Sequence, residues 1–193
     1  MLRLYLIRHG ETEWSLSGRH TGRSDIPLTA HGEDQARELR RRLEHVEFST
    51  VLTSPLQRAR RTCELAGLAA AAEIDPDLAE WHYGDYEGRS TVDIRKERPG
   101  WNVFRDGVPN GETPSQAGDR ADQLIAHLRS LSGDVALFSH GQFGCVLAAR
   151  WIGLPVIDAQ HFSFGPACLG ILDHNRDHPE VRVIELWNAA PAS

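Results

Sequence analysis

Apolar residues along this chain recur in two periods, short runs suited to strands and longer stretches with one apolar helical face. Leu2 to Ile7 is β-rich and almost wholly apolar, which predicts a first strand. From Thr29 to about Val46, the residues Ala36, Leu39, Leu43 and Val46 share one helical face, with arginines and acids elsewhere. Ser49 to Thr53 reads as a short strand. Ser54-Pro55-Leu56-Gln57 then opens a helix: Ser54 suits the N-cap, Gln57 completes a capping box, and Pro55 fits the first turn. Thr113-Pro114-Ser115-Gln116 repeats that signature and starts a helix with Ala117, Ala121, Leu124, Leu128 and Leu131 on its apolar face. Val135 to Phe138 predicts a buried strand, and Gln142 to Ile152 a helix stopped by Gly153 and Pro155. Cys168 to Leu172 and Val181 to Leu186 predict two last strands around a His174–Pro179 turn region. Strands alternating with helices predict an α/β fold, a mainly parallel sheet covered on both faces.

With 193 residues, no internal repeat and no linker, the chain is expected to form one domain over residues 1–193. A hydrophobic content of 40% with 25% charged residues excludes disordered and fibrous classes. No apolar run is long enough to cross a bilayer, and Leu2–Ile7, closed by Arg8-His9-Gly10, is too short for a signal peptide. A cytoplasmic protein without a membrane partner is the expectation. Cys63, Cys145 and Cys168 are odd in number and scattered, which suits buried core thiols better than disulfides or a metal pair. A net charge of −6 lacks the basic footprint of a nucleic-acid binder. Lys96 is the only lysine; the many arginines offer planar forks that suit phosphate.

Ligands of open α/β sheets bind beyond the carboxyl ends of the strands. Three such ends carry residues that a phosphate would want: Arg8-His9-Gly10, then Arg58 in the first turn after Ser54-Pro55, then Ser139-His140-Gly141. Glycine after His9 lets the backbone turn tightly against a ligand. A neutral imidazole with one nitrogen held by a hydrogen bond can attack phosphorus through the other. Arg58 stands where free N–H groups and the helix dipole favour an anion, whereas Arg60 and Arg61 point to other faces. Cleaving a phosphate ester would also need a proton source, and Leu78–Gly88 holds Glu80, Asp85 and Glu87 among aromatics. Chemistry alone leaves the choice among these three acids open. Histidines and cysteines do not fall at metal-ligand spacings, and there is no G-x-x-x-x-G-K-[ST] phosphate loop.

Five ordered motifs carry a family resemblance: Leu4–Trp14, Thr21-Gly22 with Pro27-Leu28-Thr29-x-x-Gly32, Ser54–Arg60, Leu78-x-Glu80-x-x-Tyr83-Gly84, and Ser139-His140-Gly141. Together they span nearly the whole chain and resemble the histidine phosphatase superfamily, also called phosphoglycerate mutase-like. The resemblance implies a three-layer α/β/α sandwich that needs neither metal nor cofactor. It implies His9 as the nucleophile that becomes phosphorylated, and Arg8, Arg58 and His140 as ligands of the phosphoryl oxygens. Glu80 matches the proton donor, while Ser15, Thr21, Gly22 and Gln142 match positions that hold phosphate or substrate. Gly111-Glu112-Thr113 ahead of a helix, with no long basic insertion after Glu80, is similar to the phosphatase branch. The expected partner is a small phosphorylated metabolite, a sugar phosphate or bisphosphate. The alternative is a cofactor-dependent phosphoglycerate mutase. Trp81, Trp101 and Arg105 are expected either at a rim over the substrate or as plain packing.

Overall fold

A computed structural model describes residues 2–190. The first half of the chain runs β1 (Leu2–Arg8), α1 (Glu13–Leu16), α2 (Ala30–Leu43), β2 (Phe48–Thr53), α3 (Gln57–Leu65) and β3 (Ala72–Ile74). Then come α4 (Thr91–Glu97), α5 (Val103–Asp106), α6 (Pro114–Leu128), β4 (Gly133–Ser139), α7 (Gly141–Trp151), β5 (Leu169–His174) and β6 (Arg182–Ala189). The strands form one sheet in the order β3-β2-β4-β1-β5-β6. Parallel pairing joins the first four, and β5 and β6 complete the sheet antiparallel. The sheet is therefore mostly parallel, as the sequence pattern implied.

Alternation along the central strands creates two cores. Leu4 and Leu6 of β1, with Val135 and Leu137 of β4, face the helices α6 and α7. Tyr5 and Ile7, with Ala136 and Phe138, face Leu39 and Leu43 of α2 and Cys63 of α3. Side chains on a strand alternate between faces, so a nearly continuous apolar run is what a sheet covered on both sides requires. Three layers result, helices–sheet–helices. All three cysteines are buried and free.

The Thr113 capping box forms as expected, its oxygen accepting from Gln116 N–H while Gln116 returns a bond to Thr113 N–H. The one expected at Ser54 does not. Leu56 occupies the N-cap of α3 without a side-chain bond, and Asp25 Oδ1 instead accepts from Gln57 N–H at 2.8 Å. Ser54 Oγ faces a histidine at the end of β4, described below. Val46 and Leu131 lie past the ends of their helices but still pack on the two cores. The carboxyl ends of β1, β2 and β4 run in register, Thr53 beside Phe138 and Arg8 beside Ser139, so the residues that follow them share one edge.

Candidate active site

His9 follows β1 and is buried. Its Nδ1 stands 2.7 Å from the Gly10 carbonyl, which can only accept, so Nδ1 carries the proton and Nε2 keeps its lone pair. Gly10 permits this turn because a Cβ there would meet the Gly32 carbonyl oxygen of α2 at 2.3 Å. Gly10 N–H donates to Thr62 Oγ1 of α3 at 3.0 Å. The His9 ring lies edge-on to the His140 ring, with centroids 5.2 Å apart.

Arg8 is held by one turn of the chain between α7 and β5. Its N–H donates to the Cys168 carbonyl and its Nη1 to the Phe164 carbonyl, while Ala167 N–H donates to the His9 carbonyl. The guanidinium passes beside Gly141, where a Cβ would stand 3.2 Å from Arg8 Cζ. Arg8 Nε is buried without a hydrogen-bond partner.

Arg58 is fully buried in the first turn of α3. Nη1 donates to the Ser24 carbonyl, Nη2 to the carbonyls of Thr21 and Gly22, and Nε to His140 Nδ1 at 3.2 Å. That bond makes Nδ1 of His140 an acceptor, so Nε2–H is left to donate to Ser54 Oγ at 2.7 Å. Both nitrogens of His140 are thus engaged within the protein, and direct contact with a phosphoryl oxygen would require exchanging the Ser54 bond. The resemblance implied a phosphoryl ligand at His140; here its ring stands beside His9 and bonds Arg58 and Ser54.

Glu80 lies 8% exposed at the start of α7. Oε1 accepts from Trp81 N–H and Phe143 N–H, and Oε2 from Gln142 N–H at 3.0 Å. The carboxyl group is thereby fixed at the amino end of α7. Of the other acids, Glu87 Oε1 accepts from Gly22 and Ser24 N–H and so fixes the loop that Arg58 also grips. Asp85 accepts from Asn110. Neither lines the cavity at His9.

That cavity has a volume of about 190 Å³; Arg8, His9, Ser15, Thr21, Glu80 and Gln142 line it. Arg58 and His140 stand behind this lining. Gly22 does not reach the cavity; it lines a neighbouring one of about 510 Å³ on the other side of Glu80, and its N–H is taken by Glu87. Ser15 is committed to a capping box with Thr12, which holds α1 against the mouth. Gly18, Arg19, His20 and Thr91 also line the cavity and were not singled out in the sequence. Proximity of His20 to Thr21-Gly22 was the only signal for it, and Thr91 carried none.

Burial fixes the electrostatics. Removal from water, then the charges of Arg58 and Arg8, hold His9 well below the usual imidazole range. Burial and then Arg58 do the same to His140. Burial lowers Arg8 and brings Arg58 down to about 10, which leaves Arg58 a cation at neutral pH, and a guanidinium such as that of Arg8 keeps its proton in proteins. Two neutral imidazoles and two buried cations therefore share one strand edge. Among the described residues, no group of three or more His, Cys, Asp or Glu side chains is arranged to hold a metal ion. No helix there is long and apolar enough to cross a membrane.

Of the two roles open to Trp81, Trp101 and Arg105, packing describes Trp81 and Arg105, while Trp101 both packs and lines a small cleft beside the His9 cavity. Trp81 and Trp101 are buried in the core, with their Nε1–H groups donating to the carbonyls of Glu112 and Gly107. Arg105 pairs with Asp106 on the surface. Each indole finds its backbone acceptor on the inside, which fixes how the ring packs.

A mostly parallel sheet between two helical layers, with an imidazole, two arginines and a carboxyl group gathered beyond its strand ends, defines a phosphoglycerate mutase-like fold. Residues 4–188 match the family model of the histidine phosphatase superfamily (branch 1), and the chain belongs to that family. It is 40% identical over 190 residues to an acid phosphatase of Mycobacterium tuberculosis, covering 95% of this chain and 92% of the relative. It is 38% identical over 187 residues to the sedoheptulose 1,7-bisphosphatase of Saccharomyces cerevisiae, covering 80% of this chain and 69% of that one. A solved structure of an open reading frame product from Mycobacterium tuberculosis superposes with a TM-score of 0.93 at 38% identity, over 98% of both chains. The chain is a phosphoric monoester hydrolase of this superfamily.

Proposed function

We propose that this protein hydrolyses a small phosphorylated metabolite, a sugar phosphate or bisphosphate, through a phosphohistidine on His9. The observation that carries the reading is the His9 Nδ1–Gly10 carbonyl bond of 2.7 Å, which leaves Nε2 as the free lone pair of a ring lining a cavity with Arg8 and Glu80. The substrate phosphate docks against Arg8, whose buried Nε lacks a protein partner, with Arg58 and His140 adding charge and rigidity from beneath. His9 Nε2 bonds to phosphorus as the ester P–O bond breaks, and Glu80 gives a proton to the leaving oxygen. In the return step water passes its proton to Glu80 and its oxygen to phosphorus. The N–P bond breaks, and phosphate leaves. Ser15, Thr21 and Gln142 serve as substrate contacts at the cavity wall, and Gly22 acts through the loop that Arg58 holds. No step calls for a metal.

The sugar-phosphate assignment draws on the likeness to the yeast sedoheptulose 1,7-bisphosphatase and on the polar lining of the cavity. The test is turnover of sugar phosphates, phosphoglycerate and an aryl phosphate in the presence of chelator, with acid-quenched protein analysed for phosphate on His9. Expected is an acid-labile adduct on His9 and its loss, with loss of turnover, in His9→Ala. Phosphate release undiminished by His9→Ala would refute the mechanism. Isomerisation of phosphoglycerate primed by its bisphosphate, without net hydrolysis, would favour the mutase instead.

A further inference from the structure

A second lobe adjoins the His9 cavity. It has a volume of about 180 Å³ and shares His20, Thr91 and Gln142 with the first as lining residues. Beyond this waist it is lined by Arg95, Trp101, Asn102, Val103, Phe104 and Gln160. An ester bound with its phosphate at His9 must send its leaving group somewhere, and this lobe opens from the same cavity.

The hydrogen-bonding groups of the lobe are mostly neutral. His20 stacks on Tyr83, with centroids 4.4 Å apart, and stands edge-on to Trp101. Its Nε2 lies 3.0 Å from Thr91 Oγ1, and Nδ1 has no protein partner among the described residues. Burial brings His20 down to about 4, so its open nitrogen is that of an uncharged ring at neutral pH. Among the described residues, the Gln142 side-chain amide has no hydrogen-bond partner; its backbone N–H is the group that meets Glu80. Asn102 Nδ2 donates to Gln160 Oε1 at 2.8 Å, which ties the two sides of the lobe together and leaves Gln160 Nε2 free. Arg95 is the single charged side chain of the lobe, and its Nε is already committed to the Trp101 carbonyl.

We infer that this lobe is the leaving-group site, and that His20, Gln142 and Gln160 are specificity-determining residues that read the hydroxyls of an uncharged polyhydroxylated group, one sugar ring or a short polyol. The inference rests on the phosphatase reading above and adds which residues select the ester. Three open neutral groups beside the aromatic walls of Trp101 and Phe104 match alternating hydroxyls and C–H faces. Arg19 lines the His9 cavity but not the lobe, so a carboxylate directed into the lobe meets the neutral His20, Thr91 and Gln142 at the waist, where a glycerate-binding site would need cations. A bare aryl group would leave the polar groups unpaired.

The experiment measures kcat/KM of the wild-type protein for ribose phosphate, phosphoglycerate and para-nitrophenyl phosphate, then repeats it for His20→Ala, His20→Asn and Gln160→Ala. Expected is a preference for ribose phosphate over phosphoglycerate. The ratio of ribose phosphate to aryl phosphate should fall about tenfold in His20→Ala and Gln160→Ala, chiefly through KM, with partial recovery in His20→Asn. Gln160 is exposed, so its variant keeps the test decisive if His20→Ala folds poorly. Equal losses on both esters, an unchanged ratio, or a preference for phosphoglycerate would overturn the assignment. Absence of a His9 adduct in the wild-type protein would instead refute the catalytic reading, whatever the ratios.

Discussion

The Arg58 Nε–H donates to His140 Nδ1 at 3.2 Å, and through this bond the first turn of α3 is locked to the end of β4. The same guanidinium holds three carbonyls of the Thr21–Ser24 segment. Only a planar fork can serve both directions at once. Arg58→Lys keeps a positive charge but loses the Nε bond and most of the carbonyl bonds. Expected is a fall in kcat/KM of about a hundredfold or more, with greater proteolytic sensitivity in the Thr21–Ser24 segment. A lysine variant with near-normal turnover would show that charge alone suffices there.

The buried histidines predict how stability responds to acid. His9, His20 and His140 all lie below the ordinary imidazole value of 6.5, His20 at about 4. The unfolded chain binds protons at these residues below pH 6.5, whereas the folded protein resists them. Stability is therefore fully present above that value and is lost as pH falls, by up to about 1.4 kcal/mol per pH unit for each histidine. Urea unfolding at a series of pH values from 7 to 4 measures the slope, and His20→Asn should reduce it by about one proton's share. The acid limb of kcat/KM, which reports the free enzyme, should likewise lie below pH 6.5. An imidazole limb at or above 6.5 would contradict a buried neutral His9.

Much of this arrangement could be read from residue order, because strand ends in register bring Arg8-His9-Gly10 and Ser139-His140-Gly141 to one edge. The two long helices and the Thr113 cap were legible for the same local reasons, one apolar face and one start signal. Ser54 shows where local rules stop. Its capping signature is intact, yet a buried imidazole needs an acceptor and takes the hydroxyl, while Asp25 from a distant loop caps the helix. Strand β3 has three residues and no alternation to detect, and α4 and α5 are short helices whose stability comes from packing. His20, Thr91 and Gln160 join one cleft from three separate segments, a convergence that no spacing along the chain encodes.

Arg120 should prove essential for placing Glu80. It forms a two-pronged pair with Glu112, in which both side chains are largely buried, and its Nη1 donates to the carbonyls of Asp77 and Ala79. Its guanidinium also lies over the Phe143 ring at 3.8 Å. Arg120→Leu leaves Glu112 buried without a cation, a loss of about 3 kcal/mol. The segment leading into Glu80 loses its anchor as well, so kcat should fall more than KM rises. Chemical unfolding with steady-state kinetics on the same preparation checks both. A loss below about 1 kcal/mol, or an unchanged kcat, would reduce Arg120 to a surface pair.

Asn188 predicts action at a distance. Its Oδ1 accepts from Gly165 N–H at 2.7 Å, and the neighbouring Trp187 donates to the Ser163 carbonyl and stacks on Phe164 at 4.6 Å. The turn so braced by β6 is the one that grips Arg8 through the Phe164 and Cys168 carbonyls and His9 through Ala167 N–H. Ala167 sits there at φ 52° and Asn188 at φ 53°, a region that costs an alanine about 1 kcal/mol and suits asparagine better. Asn188→Ala removes the acceptor and strains its own backbone; Asn188→Gly removes the acceptor but relieves the strain. If the bond positions Arg8, both variants should lose kcat/KM about tenfold, while only the alanine variant loses marked stability. Asn188→Asp keeps an acceptor oxygen and should recover most activity. Should Asn188→Gly retain full turnover, the turn must be held by the Trp187–Phe164 stack alone, and the hydrogen bond plays no part in setting the arginine.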